Sequence, residues 1–554
     1  MLTGENLKTA IMAAAVCIKN ERHKIDELNV YPVPDGDTGS NMSMTMDAAF
    51  AALSALDKKK LTVSEVSALA ASSMLRGARG NSGVILSLIF RGLSKGLSGL
   101  EKAGAEDIAA AFEIGVQTAY KAVMKPQEGT ILTVIKFSAE KAKELAAEPH
   151  EAVELWEQVC VTAEETLAKT PEMLPVLKKA GVVDAGGKGL CVILRAMLGI
   201  LKGEALPKFD SENGNGTSSA KREHLLDNLA FDSEEEINFT YCTEFIVNKT
   251  NDKDSRTLRA YLETIGDCVV VVDDDEIIKV HVHTDNPGMA IEKALEFGNF
   301  TEPKPKIENM RNQQANKVKE TKIKKESDFE LAPQDKEYGF VAVCSGIGIE
   351  NLFKDLGVDT IVKGGQTMNP STDDILRAVG QTPAKTVFVL PNNKNIIMAA
   401  QQTISLSDRK ICVLETRTIP QGLSAMLAFE EEKDFADNRL NMTKAFEKTS
   451  TGQITHAVRD TVSDNINIKK NDIIALANSK IVLADKDVNR ASFRLVKKLI
   501  NKDTKFITVI YGSDVSEEKA ENFYDFLRGK ISDKIEITMV SGGQPVYYYI
   551  FGIE

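Results

Sequence analysis

The sequence predicts a multidomain protein: an all-α helical bundle over residues 1–204, a small α+β module over 236–310 and an α/β region over 338–554. Three observations predict it. Apolar residues recur every three or four positions in an alanine-rich first third, short alternating runs replace them in the middle, and apolar runs alternate with amphipathic segments thereafter.

In the first region Leu69 and Met74, then Ile85, Leu86 and Ile89, then Ile108, Phe112, Val116, Ala119 and Val123 keep helical spacing, and about eight helices are expected. Residues 207–220 (PKFDSENGNGTSSA) lack large apolar side chains apart from one Phe, so 205–235 is expected to be a linker. In the middle, 237–247 alternate like a strand, 268–272 form a short apolar run, 273–275 (DDD) a tight turn, 277–283 a second alternating strand and 289–297 a helix. Residues 311–337 form a charged linker whose basic run 317–325 (KVKETKIKK) reads as a solvated segment, with a nucleic-acid contact as the alternative. Beyond it, strands are expected at 340–344, 386–390, 411–414, 505–511 and 535–540, and helices at 372–379 and 491–500.

The chain has 554 residues, room for about three to five domains at roughly 100–200 residues each. Its 43% hydrophobic and 27% charged residues exclude a mostly disordered chain. A net charge of −12 argues against a nucleic-acid scaffold, which needs a basic face. Seven cysteines lie singly, without a CxxC pair, which fits a reducing cytoplasm better than a disulfide framework. No run reaches the ~18 apolar residues of a membrane span, and the apolar run 10–18 reads as the buried face of a first helix rather than a leader.

The densest chemical signal is 29–42 (NVYPVPDGDTGSNM). Two prolines and two glycines stiffen it, and Asp35 and Asp37 stand two apart, so their carboxylates can converge on one hard cation such as Mg²⁺. The alternative is an Asp/Gly turn with two capping aspartates. Three more polar, glycine-bearing loops precede apolar helices: 76–83 (RGARGNSG), 128–130 (EGT) and 183–189 (VDAGGKG). Each alone reads as a cap or turn, but four in one bundle favour a nucleotide site at one end, because helix N-termini attract anions. No Walker loop and no GxGxxG occurs.

These loops resemble the nucleotide-binding L subunit of the dihydroxyacetone kinases (the DAK2 domain), and the chain from end to end resembles the ATP-binding A-type subunits of bacterial fatty acid kinases. Supporting stretches are 241–245 (YCTEF), 279–288 (KVHVHTDNPG), 364–372 (GGQTMNPST), 390–395 (LPNNKN) and 542–549 (GGQPVYYY). The resemblance implies a helical barrel holding ATP with two Mg²⁺ ions. Asp35 and Asp37 would ligate Mg²⁺, with Asn29 standing where the kinases carry an earlier aspartate. Thr38, Gly39, Asn41, Asn81, Ser82 and Gly83 would contact the nucleotide, Asn81 and Ser82 at its phosphates. Thr130 would lie near the adenine, and Asp184 and Gly186 near the nucleotide. Those kinases read D-G-D-H-G where this chain has Thr38. The change suits a fatty-acid acceptor, whose carboxyl, with a pKa of roughly 4–5, is ionised at pH 7 and needs no general base. Arg79 is read separately as a catalytic contact to the phosphates, or as a surface salt bridge.

In the middle module His281 and His283 stand two apart on a strand, and Cys242 lies on another. Together they suit Zn²⁺, the alternative being half-buried strand histidines and a core cysteine. The family resemblance favours a metal here, with water, Glu244 or Asp285 as options for a fourth ligand.

The stretch 364–372 reads as a capped helix start or an anion site, and 546–551 as a closing strand. Residues 364–372 resemble the DegV-like fatty-acid-binding proteins, which implies a relative of the acyl carrier's own fold used to dock that carrier. The expected function is an ATP-dependent fatty acid kinase subunit of the cytoplasm. It phosphorylates the carboxylate of a fatty acid presented by a separate DegV-like protein and gives an acyl-phosphate; a homodimer is the leaning. Alternatives are a dihydroxyacetone or other small-molecule kinase subunit, or a nucleotide-sensing docking protein.

Overall fold

A computed structural model describes residues 1–29, 36–56, 60–123, 126–147, 150–207, 239–251, 253, 255–273, 277–300, 305–309, 331–365, 368–463 and 466–554. The chain divides into two compact units, one of residues 1–213 with 331–554 and one of 214–330.

The described residues of 1–207 are mainly helical, beside one short antiparallel pair, Leu2–Thr3 with Lys102–Ala103: α1 (Gly4–Glu27), α2 (Thr38–Ser54), α3 (Val63–Gly77), α4 (Gly80–Gly96), α5 (Ala105–Ala122), α6 (Ile131–Leu145), α7 (Ala152–Met173), α8 (Pro175–Ala180) and α9 (Ala185–Leu201). Local chemistry sets their limits. Thr3 caps α1 by accepting from the Asn6 amide, and Thr62 and Glu65 form a reciprocal capping box at α3. Pro175 opens α8, and Gly181, at φ +66°, closes it in the left-handed conformation. Buried positions on α1 (Leu7, Ala10, Ile11, Ala14, Ile18, Ile25) follow the helical period. Small residues let helices approach closely: a Cβ on Gly92 would stand 2.4 Å from the Gly115 Cα. Consecutive helices pack α1 on α2, α2 on α3 and α4, α4 on α5, α5 on α6 and α6 on α7, and α9 joins α7 to α1.

The C-terminal region carries a four-stranded parallel sheet in the order Lys410–Val413, Ala384–Leu390, Lys336–Cys344, Thr360–Lys363. A six-stranded mixed sheet runs Lys480–Asp485, Ile473–Ala477, Ser450–His456, Tyr549–Ile553, Phe506–Tyr511, Glu536–Ser541. The apolar tail therefore ends inside a sheet, with Ser450–His456 on one side and Phe506–Tyr511 on the other. The expected strands and helices here lie within four residues of observed ones at each end, but Thr360–Lys363, Ser450–His456, Ile473–Ala477 and Lys480–Asp485 had no expected counterpart. The helical region and the parallel sheet share one apolar core, in which Val341, Val387 and Ile375 join the helix residues.

The second unit is an antiparallel sheet of Gly266–Asp273, Ile277–Thr284, Tyr241–Lys249, Gly298–Phe300 and Lys306–Asn309, with helices Ser255–Ile265 and Pro287–Leu295. Val280 and Val282 are fully buried in a core with Leu258, Leu262, Ala290 and Phe297. Positions 274–275 of the acidic turn and the basic run 317–325 lie outside the described residues.

Candidate functional site

Four helix N-termini meet at one end of the helical region, around a cavity of about 290 Å³. That is the small end of the usual ligand range of about 300–1,000 Å³. Asp37, Thr38 and Asn41 come from the start of α2, Asn81, Ser82 and Ile85 from α4, Thr130 and Ile131 from α6, and Asp184 and Gly186 from α9. Asn29 enters from beyond the end of α1, and Lys394 and Asn395 from the loop before helix Ile397–Thr403. Helix N-termini carry partial positive charge and donor amides, so their convergence makes an anion site.

The caps explain which side chains are committed. Thr130 accepts from the Leu132 amide at 3.4 Å, and Asp184 from the Gly187 amide at 2.7 Å. Asp37 is the cap residue of α2 yet makes no side-chain cap bond. Asp26 of α1 does that work instead, accepting from the Ser40 amide at 3.1 Å and the Ser40 hydroxyl at 2.7 Å. The turn reading of Asp37 as a helix cap is therefore not what the geometry contains. Burial pushes the Asp26 carboxyl up against the lowering effect of the Ser40 bonds, and burial pushes Asp184 up to about 6.

Asn41, 2% exposed, has a buried Oδ1 without a hydrogen-bond partner, and so does Asn81. Two orphaned amide oxygens beside the Asp37 carboxylate make an oxygen-rich wall, the donor chemistry that suits Mg²⁺. Gly80, at φ +56°, is required at the start of α4, because a Cβ there would meet the Asn41 Nδ2 at 2.4 Å.

Of the expected site residues, the structure brings Asn29, Asp37, Thr38, Asn41, Asn81, Ser82, Thr130, Asp184 and Gly186 to this one cavity. Asp35 lies outside the described residues. Gly39 and Gly83 serve packing: a Cβ would lie 2.3 Å from the Arg22 carbonyl oxygen at the first and 2.3 Å from the Thr45 Oγ1 at the second. Arg79 is directed at the C-terminal region. Its Nη1 donates to the Asn369 carbonyl at 2.8 Å and its Nη2 lies 3.5 Å from the Asp374 carboxylate. Sequence reading missed Asn369, whose Nδ2 donates to the Asp37 Oδ2 at 2.6 Å, and Lys394. Both lie in stretches that carried the family resemblance, but nothing local marked them as site residues.

In the middle module the register sets Cys242 opposite His283 and Glu244 opposite His281, so positions 242, 281 and 283 share a face of the sheet. His283 is buried, whereas the side chains of Cys242, Glu244 and His281 lie outside the described residues. Asp285 accepts from the Thr240 amide at 2.7 Å. Among the described residues no group of three or more His, Cys, Asp or Glu is placed to hold a metal, and the zinc expectation has no support. No described helix is long and apolar enough to cross a membrane.

The fold joins a helical region, with helix N-termini gathered at one cavity, to an α/β region, and family models match along the chain. Residues 32–199 match the DAK2 domain, 238–317 the middle domain of the FakA-like fatty acid kinase proteins and 339–554 their C-terminal domain. The chain is 40% identical over 556 residues to Protein YloV of Bacillus subtilis, covering 100% of this chain and 99% of that one. It belongs to the FakA-like fatty acid kinase family. Among solved structures, the DegV family protein Cg2579 from Corynebacterium glutamicum aligns with 39% of this chain and 97% of its own, at 12% identity and a TM-score of 0.33. The dihydroxyacetone kinase from C. freundii in complex with AMP-PNP and Mg²⁺ aligns with 35% of this chain and 33% of its own, at 16% identity and a TM-score of 0.28.

Proposed function

We propose that this chain is the ATP-dependent kinase component of a two-protein system. It transfers the γ-phosphate of ATP to the carboxylate of a fatty acid held by a separate fatty-acid-binding protein of the DegV-like family. The observation that carries the reading is the meeting of four helix N-termini, the Asp37 carboxylate and two orphaned asparagine oxygens at one cavity, in a chain of the FakA-like fatty acid kinase family.

In the reaction a carboxylate oxygen bonds to the γ-phosphorus as the bond from that phosphorus to the β–γ bridging oxygen breaks. ADP leaves with that electron pair, and the product is an acyl-phosphate. The acceptor, with a pKa of roughly 4–5, is already an anion at neutral pH, so no side chain has to remove a proton. The chain must bring two anions together. The amides at the starts of α2 and α4 face the phosphates, with Asn81 and Ser82 on the wall beside them, and Thr130 with Ile131 frames the base. Asp37, with Asn29 and the Asn41 and Asn81 oxygens, would hold Mg²⁺, and Asp35 joins them by resemblance. That ion, when bound, supplies charge neutralisation at the phosphates. Residues 338–554 form the region that docks the acyl carrier, and the acyl pocket belongs to that partner.

The test combines the purified chain, Mg-ATP and a fatty acid, with and without a purified DegV-family fatty-acid-binding protein, and traps acyl-phosphate with hydroxylamine. Acyl hydroxamate formed only with both proteins is expected. Phosphorylation of dihydroxyacetone instead, or nucleotide binding without turnover, overturns the reading.

A further inference from the structure

Two loops of the C-terminal region reach the helical region at its cavity, one by bonding the wall residue Asp37 and the other by supplying Lys394 and Asn395 to the wall. One, of which residues 368–371 are described up to the start of helix Thr372–Gln381, lies beyond strand Thr360–Lys363, and the other, 391–396, follows strand Ala384–Leu390. Both leave the carboxyl edge of the same parallel sheet, the edge where open α/β sheets bind their ligands.

The first loop is latched to the α3–α4 turn. Arg79 and Ser371 form a β-bridge, the Thr372 amide donates to the Ala78 carbonyl at 3.1 Å, and Arg79 holds the Asn369 carbonyl. Asn369 is 1% exposed, and its amide donates to Asp37 at 2.6 Å. The second loop is stiffened at Asn392, whose side chain donates to the Val343 carbonyl at 3.1 Å and accepts from the Thr416 hydroxyl at 2.8 Å. Two residues on, Lys394 stands in the cavity wall, the one cationic side chain among the described lining residues. A triphosphate carries far more charge than helix ends worth about half a charge each offset.

We infer that the carboxyl edge of this parallel sheet completes the nucleotide site, Lys394 contacting the phosphates and Asn369 acting as a positioning residue that orients the Asp37 carboxylate. This deepens the reading of the cavity as a Mg-nucleotide site and rests on it. The docking region is thereby part of the catalytic centre's wall rather than an appendage to it.

The test is calorimetric binding of a non-hydrolysable ATP analogue with Mg²⁺ to the full chain. Lys394→Met is expected to weaken binding about tenfold or more, with Lys394→Arg restoring most of it. Asn369→Ala is expected to raise the Mg²⁺ concentration needed for half-maximal nucleotide binding, and an unchanged Mg²⁺ requirement would overturn its positioning role. Lys385→Met, which removes an exposed lysine paired with Glu337, is expected to bind as the parent does. Lys394 is itself exposed, so its variants keep the fold even if the one at the buried Asn369 loses it. If the parent chain binds the Mg-nucleotide and Lys394→Met binds equally well, the inference is overturned while the proposed function stands. If the parent chain does not bind it, both fall.

Discussion

Asn369 and Asp37, 332 positions apart in the chain, are joined by a 2.6 Å hydrogen bond from the asparagine amide to the carboxylate. Asp26 bonds the amide end of α2, and Asp37 lines the cavity without capping that helix. Replacing Asp37 by Ala should abolish measurable Mg-dependent nucleotide binding, a loss of about a hundredfold or more, while circular dichroism and the unfolding midpoint stay near those of the parent. Calorimetry decides it, and unchanged affinity would sink the assignment of Asp37.

Arg79 links the helical region to the C-terminal region. Its bond to the Asn369 carbonyl is charge-assisted, worth about 1.5–3 kcal/mol, and its half-exposed pair with Asp374 adds at most about 1 kcal/mol. Arg79→Ala should therefore destabilise the chain by about 2–3 kcal/mol in urea unfolding. Arg79→Lys should recover only part of that, because an ammonium cannot reproduce the two-pronged geometry. A variant as stable as the parent would show that the latch contributes nothing.

Gly39 and Gly83 separate packing from ligand contact. Helix propensity favours Ala over Gly by roughly 0.5–1 kcal/mol, but overpacking costs about 1–3 kcal/mol and should win. At Gly39 the new Cβ meets backbone, the Arg22 carbonyl, whereas at Gly83 it meets the Thr45 hydroxyl. Gly39→Ala should lower the unfolding midpoint more than Gly83→Ala does. The reverse order, or stabilisation by either, would contradict this account.

The pH dependence of stability should carry a mark of Asp184. Burial raises its folded pKa from the ordinary 3.8 to about 6, so between those values the folded chain holds a proton that the unfolded chain releases. This group's contribution to stability is full below about pH 4 and is lost as pH rises through about 6, on the order of 3 kcal/mol in all. Asp184→Asn cannot titrate. The stability of that variant minus that of the parent, measured by urea unfolding without nucleotide, should therefore rise from pH 4 to 6 and then level. A difference that does not change with pH would refute the raised pKa.

What the sequence by itself determined was local. Helical periodicity and caps such as Thr62, Thr130 and Asp184 act within one or two turns, so the helices and the loops that open them were legible, and with them nine residues of the cavity wall. What only the tertiary structure decided was non-local. The strands Ser450–His456 and Tyr549–Ile553 pair across about a hundred residues and carry no short-range signature of their register. Arg79 reads in the sequence as a phosphate contact because Asn81 and Ser82 beside it do, yet its guanidinium turns to a carbonyl and a carboxylate nearly three hundred residues away. Asn369 reaches Asp37, and Lys394 the cavity wall, from just as far along the chain. A parallel sheet offers its carboxyl-edge loops to whatever packs there, and that packing is set by an apolar core shared between the chain's two ends, which no window of sequence contains.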